Sequence, residues 1–219
     1  MEKLFIQNND LDTCFNYISS IYNNRRNKKP NYTENIDRVE WANSPYYNIY
    51  PLSIELDGIK RGKLYKNTPK NLGNVISYSF YKENLITVQF YDSFKKVSVE
   101  YILRYEKNQT IVLGYIDNKL RRVCCIIEDD NIPQYSLHLL YENNNYARFY
   151  RHEYRYNDFM ICQIYERGFI FNKKDKIGII DVDYDIEYSE NAVSKIIGRI
   201  YNHKNDKSVS DIVFKENKY

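Results

Sequence analysis

The stretch DVDYDIEY, Asp181 to Tyr188, carries carboxylates at every second position: Asp181, Asp183, Asp185 and Glu187. Such a row could hold a metal ion, form an acid/base pair or draw a basic partner. Its first three members match the opening ligands of a D-x-D-x-D calcium loop, which next needs Gly at position six and Glu at position twelve. Ile186 and Ala192 stand there instead. The alternating Val182, Tyr184 and Ile186 favour an extended chain over a sharp turn, so no metal is expected. His152 lies in YRHEYRY, sharing a strand face with Tyr150, Tyr154 and Tyr156. A tyrosine-lined histidine could act as a general base on a nucleotide or a sugar, but no nucleophile or oxyanion loop accompanies it. A structural histidine at the surface is the expectation. The chain has no G-x-S-x-G, no glycine loop for phosphate, no HExxH and no Cys–His signature. Neither catalysis nor a cofactor is expected.

If DVDYDIEY is a strand, same-face residues sit about 7 Å apart. Like charges at that distance repel by roughly 0.6 kcal/mol in water and by about 2.4 kcal/mol at an effective dielectric of about 20. Neighbouring strands must supply cations. A three-residue loop at Glu190 to Ala192 sets Ser189 against Val193, Ile186 against Ile196 and Val182 against Ile200. It also sets Glu187 against Lys195 and Asp183 against Arg199. A one-residue slip would put isoleucines against carboxylates, so both faces select this register. On the other side, a turn centred on Lys174 sets Arg167 opposite Asp181. Asp185 then lies between Gln163 and Ile197 with no cation of its own.

The strands that carry these residues belong to a long series. From Val75 onward the period is two: VISYSFY, LITVQFY, VSVEYILRY, TIVLGYI, LRRVCCII, YSLHLLY, YARFYRHEYRY, FMICQIY, FIF and the acidic stretch, separated by short polar turns. Strands at this spacing indicate an antiparallel meander of ten or more strands, twisted or partly barrel-like. Tyr-x-x-Asn recurs at Tyr81, Tyr105, Tyr141 and Tyr188, which reads as a strand ending on Tyr and a turn whose Asn takes φ > 0. ENAVSKIIGRIYN follows the last of these as LITVQFY follows the first. It is read as a strand because Gly198 would cost a helix about 1 kcal/mol; a helix over 192–202 is the alternative. Before the meander, Leu11, Cys14, Phe15, Ile18, Ile21 and Tyr22 fall on one helical face. Residues 31–73 are irregular, with a possible hairpin about Asp57-Gly58. The whole, 1–219, is read as one domain: helix and irregular segment over 1–74, meander over 75–219.

Composition agrees. The 219 residues are 43% hydrophobic and 28% charged, enough for a globular core. A net charge of +3 argues against a dedicated nucleic-acid binder. Cys14, Cys124, Cys125 and Cys162 form no CxxC pair. They are read as reduced apolar filler in a cytoplasmic protein, with Cys124 and Cys125 pointing to opposite faces. No signal segment or membrane-length apolar run is seen.

Tyrosine is the outlier, at 24 residues. Tyr146, Tyr150, Tyr154 and Tyr156 share strand parity. If exposed, they are rigid amphipathic anchors for a partner; if covered, they are the sheet's second core. The turn EDDN, with Glu128, Asp129 and Asp130, is read as solvent-exposed and able to meet a basic partner. YKENLITVQFYD, YEKNQTIVLGYIDNKLRRV and YSENAVSKIIGRIYN resemble the tyrosine-rich hairpin strings of bacterial polymorphic-toxin immunity proteins, including partners of contact-dependent growth-inhibition toxins. The resemblance covers about residues 75 to 215 and brings no motif residues with it. It implies a cytoplasmic protein that binds one toxin domain, often a nuclease with a basic cleft, in a 1:1 complex and blocks its active site. The partner-binding candidates are Asp181, Asp185, Glu128, Asp129, Asp130, Tyr146, Tyr150, Tyr154 and Tyr156, without direct nucleic-acid or membrane contact. A carbohydrate-binding or structural β-domain using tyrosine platforms is a further alternative.

Overall fold

The computed structural model describes residues 11–30, 36–142, 146–173, 175–202 and 207–215. The helix expected from the apolar stripe is α1, Leu11–Arg25. Strands β1 (Arg38–Ala42), β2 (Ile76–Tyr81), β3 (Asn84–Tyr91), β4 (Val97–Glu106), β5 (Gln109–Ile116) and β6 (Lys119–Asp129) follow, then β7 (Ile132–Tyr141), β8 (Tyr146–Asn157), β9 (Met160–Asn172), β10 (Asp175–Ser189), β11 (Ala192–Asn202) and β12 (Lys207–Lys215). All twelve form one antiparallel sheet in chain order, and the sheet does not close. Residues 192–202 are a strand, as the turn pattern required. β1 was hidden in the segment read as irregular.

One device builds five of the described hairpins. Lys82-Glu83, Asp117-Asn118, Asp130-Asn131, Asp158-Phe159 and Glu190-Asn191 all have φ between 47° and 67° at both positions, the backbone of a two-residue type I′ turn. In each case the third residue of the following strand is an unpaired bulge: Ile86, Arg121, Gln134, Cys162 and Ser194. The turn shifts the pairing by half a step and the bulge restores it. The loop after β10 is therefore two residues, and Ser189 faces Ala192 rather than Val193. Beyond the bulge the expected pairs stand: Glu187 with Lys195, Ile186 with Ile196, Asp183 with Arg199 and Val182 with Ile200. A bulge at Ile177 likewise sets Asp181 opposite Arg167. Of the Tyr-x-x-Asn units, Asn108 and Asn191 take φ > 0, whereas Asn84 is the first residue of β3; Asn144 lies outside the described residues.

The sheet has two covered faces. Its outer face receives α1, whose Cys14 and Ile18 pack with Leu113, Val123, Cys125, Leu137 and Phe149. Its inner face curls around residues 43–61. There Tyr46, Tyr47, Ile49 and Tyr50 join Tyr78, Val88, Val112 and Cys124, while Leu52 joins Ile164, Ile186 and Ile196; Leu56 touches both groups. Cys124 and Cys125 do face opposite ways. The expected hairpin about Asp57-Gly58 does not form. Ser53–Leu56 is one helical turn, α2, with Asn48 Oδ1 accepting from Ile54 N at 3.0 Å. Gly58, φ 69°, ends it, its N–H donating to Glu55 O, as glycine does just beyond a helix. The glycine that suggested a hairpin serves a helix C-terminus, and the turn it ends packs Leu52 and Leu56 against the sheet.

Candidate functional site

Beyond α1, no described element covers the outer face of β9–β11, where the acidic row lies. Its side chains are tied to one another. Arg167 bonds Asp181 at 2.9 Å and Asp183 at 2.7 Å, and also donates to Val182 O at 3.0 Å. Tyr201 donates to Asp183 at 3.0 Å, and Lys195 pairs Glu187 at 3.2 Å. The expectation that Asp185 has no cation is overturned. Arg199 reaches it at 2.9 Å, and Gln163 Nε2 donates to it at 2.9 Å. Arg199 faces Asp183 in register, but Arg167 and Tyr201 already occupy that carboxylate. The diagonal neighbour is within reach of a long side chain. Tyr165 donates to Gln163 at 3.0 Å and lies under two guanidinium groups, Arg155 at 4.7 Å and Arg167 at 5.8 Å. This is a surface rich in tyrosine and arginine whose rotamers are set in advance by hydrogen bonds, the composition and stiffness found at binding hot spots. Tyr165 and Tyr201 lie in segments read as strands, FMICQIY and ENAVSKIIGRIYN, but neither stands in a row of tyrosines that would single it out.

The tyrosine row behaves differently. Tyr150 and Tyr154 are buried, and Tyr156 is half-buried, donating to Pro133 O at 2.6 Å. Only Tyr146, 41% exposed, is open to a partner. The row faces inward and forms the second core, because residues 43–61 cover it. His152 is not at the surface either; it is 3% exposed and its Nε2 lies 2.6 Å from Glu166 Oε2. Tyr184 donates to the same oxygen at 3.3 Å. Beside it, His138 Nε2 lies 2.7 Å from Ser136 Oγ, which lies 2.5 Å from Tyr154 OH. Tyr150 stacks on His138 with centroids 4.6 Å apart.

Burial sets the protonation of several groups in this inner cluster. Burial holds His138 well below the ordinary histidine range, with the charges of His152 and Arg122 acting the same way. Burial also pushes the phenols of Tyr50, Tyr150, Tyr154 and Tyr184 upward, and the Cys124 thiol with them. Each of these groups is thereby kept in its neutral form. No group among them is activated as a nucleophile. The cluster ties β6–β10 together under the 43–61 segment.

The chain matches no family model, no curated protein and no solved structure. No helix among the described residues is long and apolar enough to cross a membrane, and no group of three or more potential metal ligands occurs among them. Geometry alone therefore ranks the surfaces.

The acidic turn lies at one end of the sheet. Asp129 and Asp130 are exposed and Glu128 is half-buried. Burial raises the Glu128 carboxyl against the opposing hydrogen bond with Thr110. Three turns at this end, those after β6, β8 and β10, carry Asp130, Asp158 and Glu190 at their tips. Phe159, 89% exposed, projects from the middle one. An exposed phenylalanine at φ 67° is costly in backbone strain and offers the fold no buried area.

Proposed function

We propose that this protein is a stoichiometric inhibitor of a toxin domain, an immunity protein that docks its partner on the outer face of β9–β11 and blocks the toxin's active site. The observation that carries the reading is the uncovered Tyr165–Arg167–Asp183–Tyr201–Arg199–Asp185 lattice. A surface fixed before contact loses little side-chain entropy on binding. The acidic turn tips Asp158 and Glu190, at the ends of these strands, favour approach of a basic cleft, as on many nuclease toxins, and accelerate encounter at low salt. Phe159 supplies an apolar anchor beside them. Tyr150 and Tyr154, being buried, take no part, and the role expected of them passes to Tyr165 and Tyr201.

The test is co-expression with the toxin domain encoded next to this gene. A 1:1 complex by light scattering and survival of the host are expected. The double change Tyr165→Ala with Arg199→Glu should weaken binding at least about 100-fold, since two central contacts are each worth about 2 kcal/mol or more. A host that dies despite a folded protein, or a complex indifferent to the double change, would refute this docking face.

A further inference from the structure

The segment 43–61 does not fill the curl of the sheet. Between it and β2–β6 lies a cavity of about 160 Å³ walled by Tyr47, Tyr50, Tyr78, Phe90 and Tyr101. A second cavity of about 370 Å³, nearer the ends of β4–β7, shares Asp57, Tyr101 and Arg122 with the first. A dry pocket of about 150 Å³ holds one benzene ring, so the inner chamber has room for a single ring between aromatic walls. Gly114 leaves the slot in which Tyr101 and Arg122 meet. A Cβ there would stand 2.9 Å from the Tyr101 ring and 3.0 Å from Arg122 Cβ.

The polar groups are unusual. Arg122 is only half-exposed, yet among the described residues its guanidinium makes no ion pair within 4.0 Å and no hydrogen bond. The face of Tyr50 lies 5.6 Å from it, and Tyr150, Tyr101 and Asp57 act on it electrostatically. The Asp57 carboxylate is likewise without a hydrogen bond or ion pair among the described residues, although Arg122 acts on it electrostatically. A cation withdrawn from water calls for an anion, and these two opposite charges stand apart across the space. Arg121 is the bulge residue of β6. Bulges re-aim side chains, and Arg121 lines the outer chamber beside Arg122. Glu142, at the same mouth, is already engaged by Arg148 at 2.6 Å.

We propose that the two chambers form a binding site for a small aromatic acid: one planar ring in the inner chamber and a carboxylate or phosphate at its edge on the Arg122 guanidinium. A guanidinium receives either oxyanion through two parallel N–H groups, and the tyrosine walls select a flat ring. The site lies on the inner face and is independent of the partner surface proposed above.

NMR titration of the whole protein with benzoate and with phenyl phosphate tests this. Saturable shifts of the Arg122 side chain and of the Tyr50 and Tyr101 rings are expected at millimolar concentration or below, with benzylammonium and inorganic phosphate much weaker. Arg122→Gln should weaken both acids at least about ten-fold, the cost of a charge-assisted hydrogen bond. Asp57→Asn removes the competing carboxylate and should tighten them several-fold. The stronger of the two acids indicates which oxyanion the site prefers. No saturable shift with either acid, or equal binding of benzylammonium, overturns the proposal. If Arg122→Gln does not fold, Asp57→Asn decides: unchanged or weaker binding overturns it.

Discussion

His138 should make the fold sensitive to mild acid. Its ring is fully buried, and the groups around it are Cys124 from β6, Ser136 from β7, Tyr150 and His152 from β8, and Tyr50 from the 43–61 segment, with Arg122 acting on it electrostatically. None of these supplies a carboxylate to His138, and burial lowers its pKa well below 6.5. The sign follows. In the folded chain the ring stays neutral, while in the unfolded chain it takes up a proton below pH 6.5. The contribution is fully present above that value and is lost as pH falls, with a limiting slope of about 1.4 kcal/mol per pH unit. At pH 5 the loss is about 2 kcal/mol, a sizeable part of a typical domain's stability.

The measurement is urea unfolding of the wild type and of His138→Phe at several pH values from 7.5 to 5. Phenylalanine keeps a ring to stack on Tyr150 but cannot titrate. The variant should be less stable at neutral pH by about 1 kcal/mol, for the lost bond to Ser136. It should then gain relative to the wild type as pH falls, so that the two curves cross. Carboxylate titrations affect both proteins and cancel in the difference. Parallel curves would refute the reasoning and place a charged or solvated ring at His138.

Other expectations are equally direct. Gly168→Ala places a Cβ 2.0 Å from Phe149 O and 2.6 Å from Tyr150 Cα, both backbone atoms of the adjoining strand. The urea midpoint should fall by the equivalent of about 3 kcal/mol or more, and a loss under about 1 kcal/mol would contradict the packing described. Asp185→Asn keeps an acceptor for Gln163 but loses the charge facing Arg199. With the two side chains 34% and 39% exposed, the cost should stay below about 1 kcal/mol and shrink in molar salt. Phe159→Gly relieves the positive φ at a tip that buries nothing, and should raise stability by about 1 kcal/mol. If the proposed docking is right, the same change weakens toxin capture; a variant that is more stable and binds equally well would remove Phe159 from the interface.

How much of this could be read from residues alone depended on whether a constraint was local. Strand positions were legible because alternation is a property of the strand itself. The register of β10 with β11 was legible because carboxylates on one face and isoleucines on the other must both find partners, and only one register satisfies the two. The bulges at Ser194 and Ile177 were not: a turn of two residues plus a bulge and a three-residue turn leave the same register beyond them. The failures share another cause. Asp185 gains Arg199 because Arg167 takes Asp183, a competition among three strands that no pairwise ladder contains. His152 was expected at the surface, and Tyr150 and Tyr154 stood open between partner anchors and a second core, because a strand pattern shows which residues share a face but not what covers it. The cover, residues 43–61, has neither period two nor period 3.6. Its place is set by Leu52 and Leu56 meeting strands more than a hundred residues away. Strands with two amphipathic faces therefore make a weak guide to which face is free. In this chain the outer face of β9–β11 is marked by the salt bridges its side chains make with each other, its carboxylates finding their cations on the neighbouring strands.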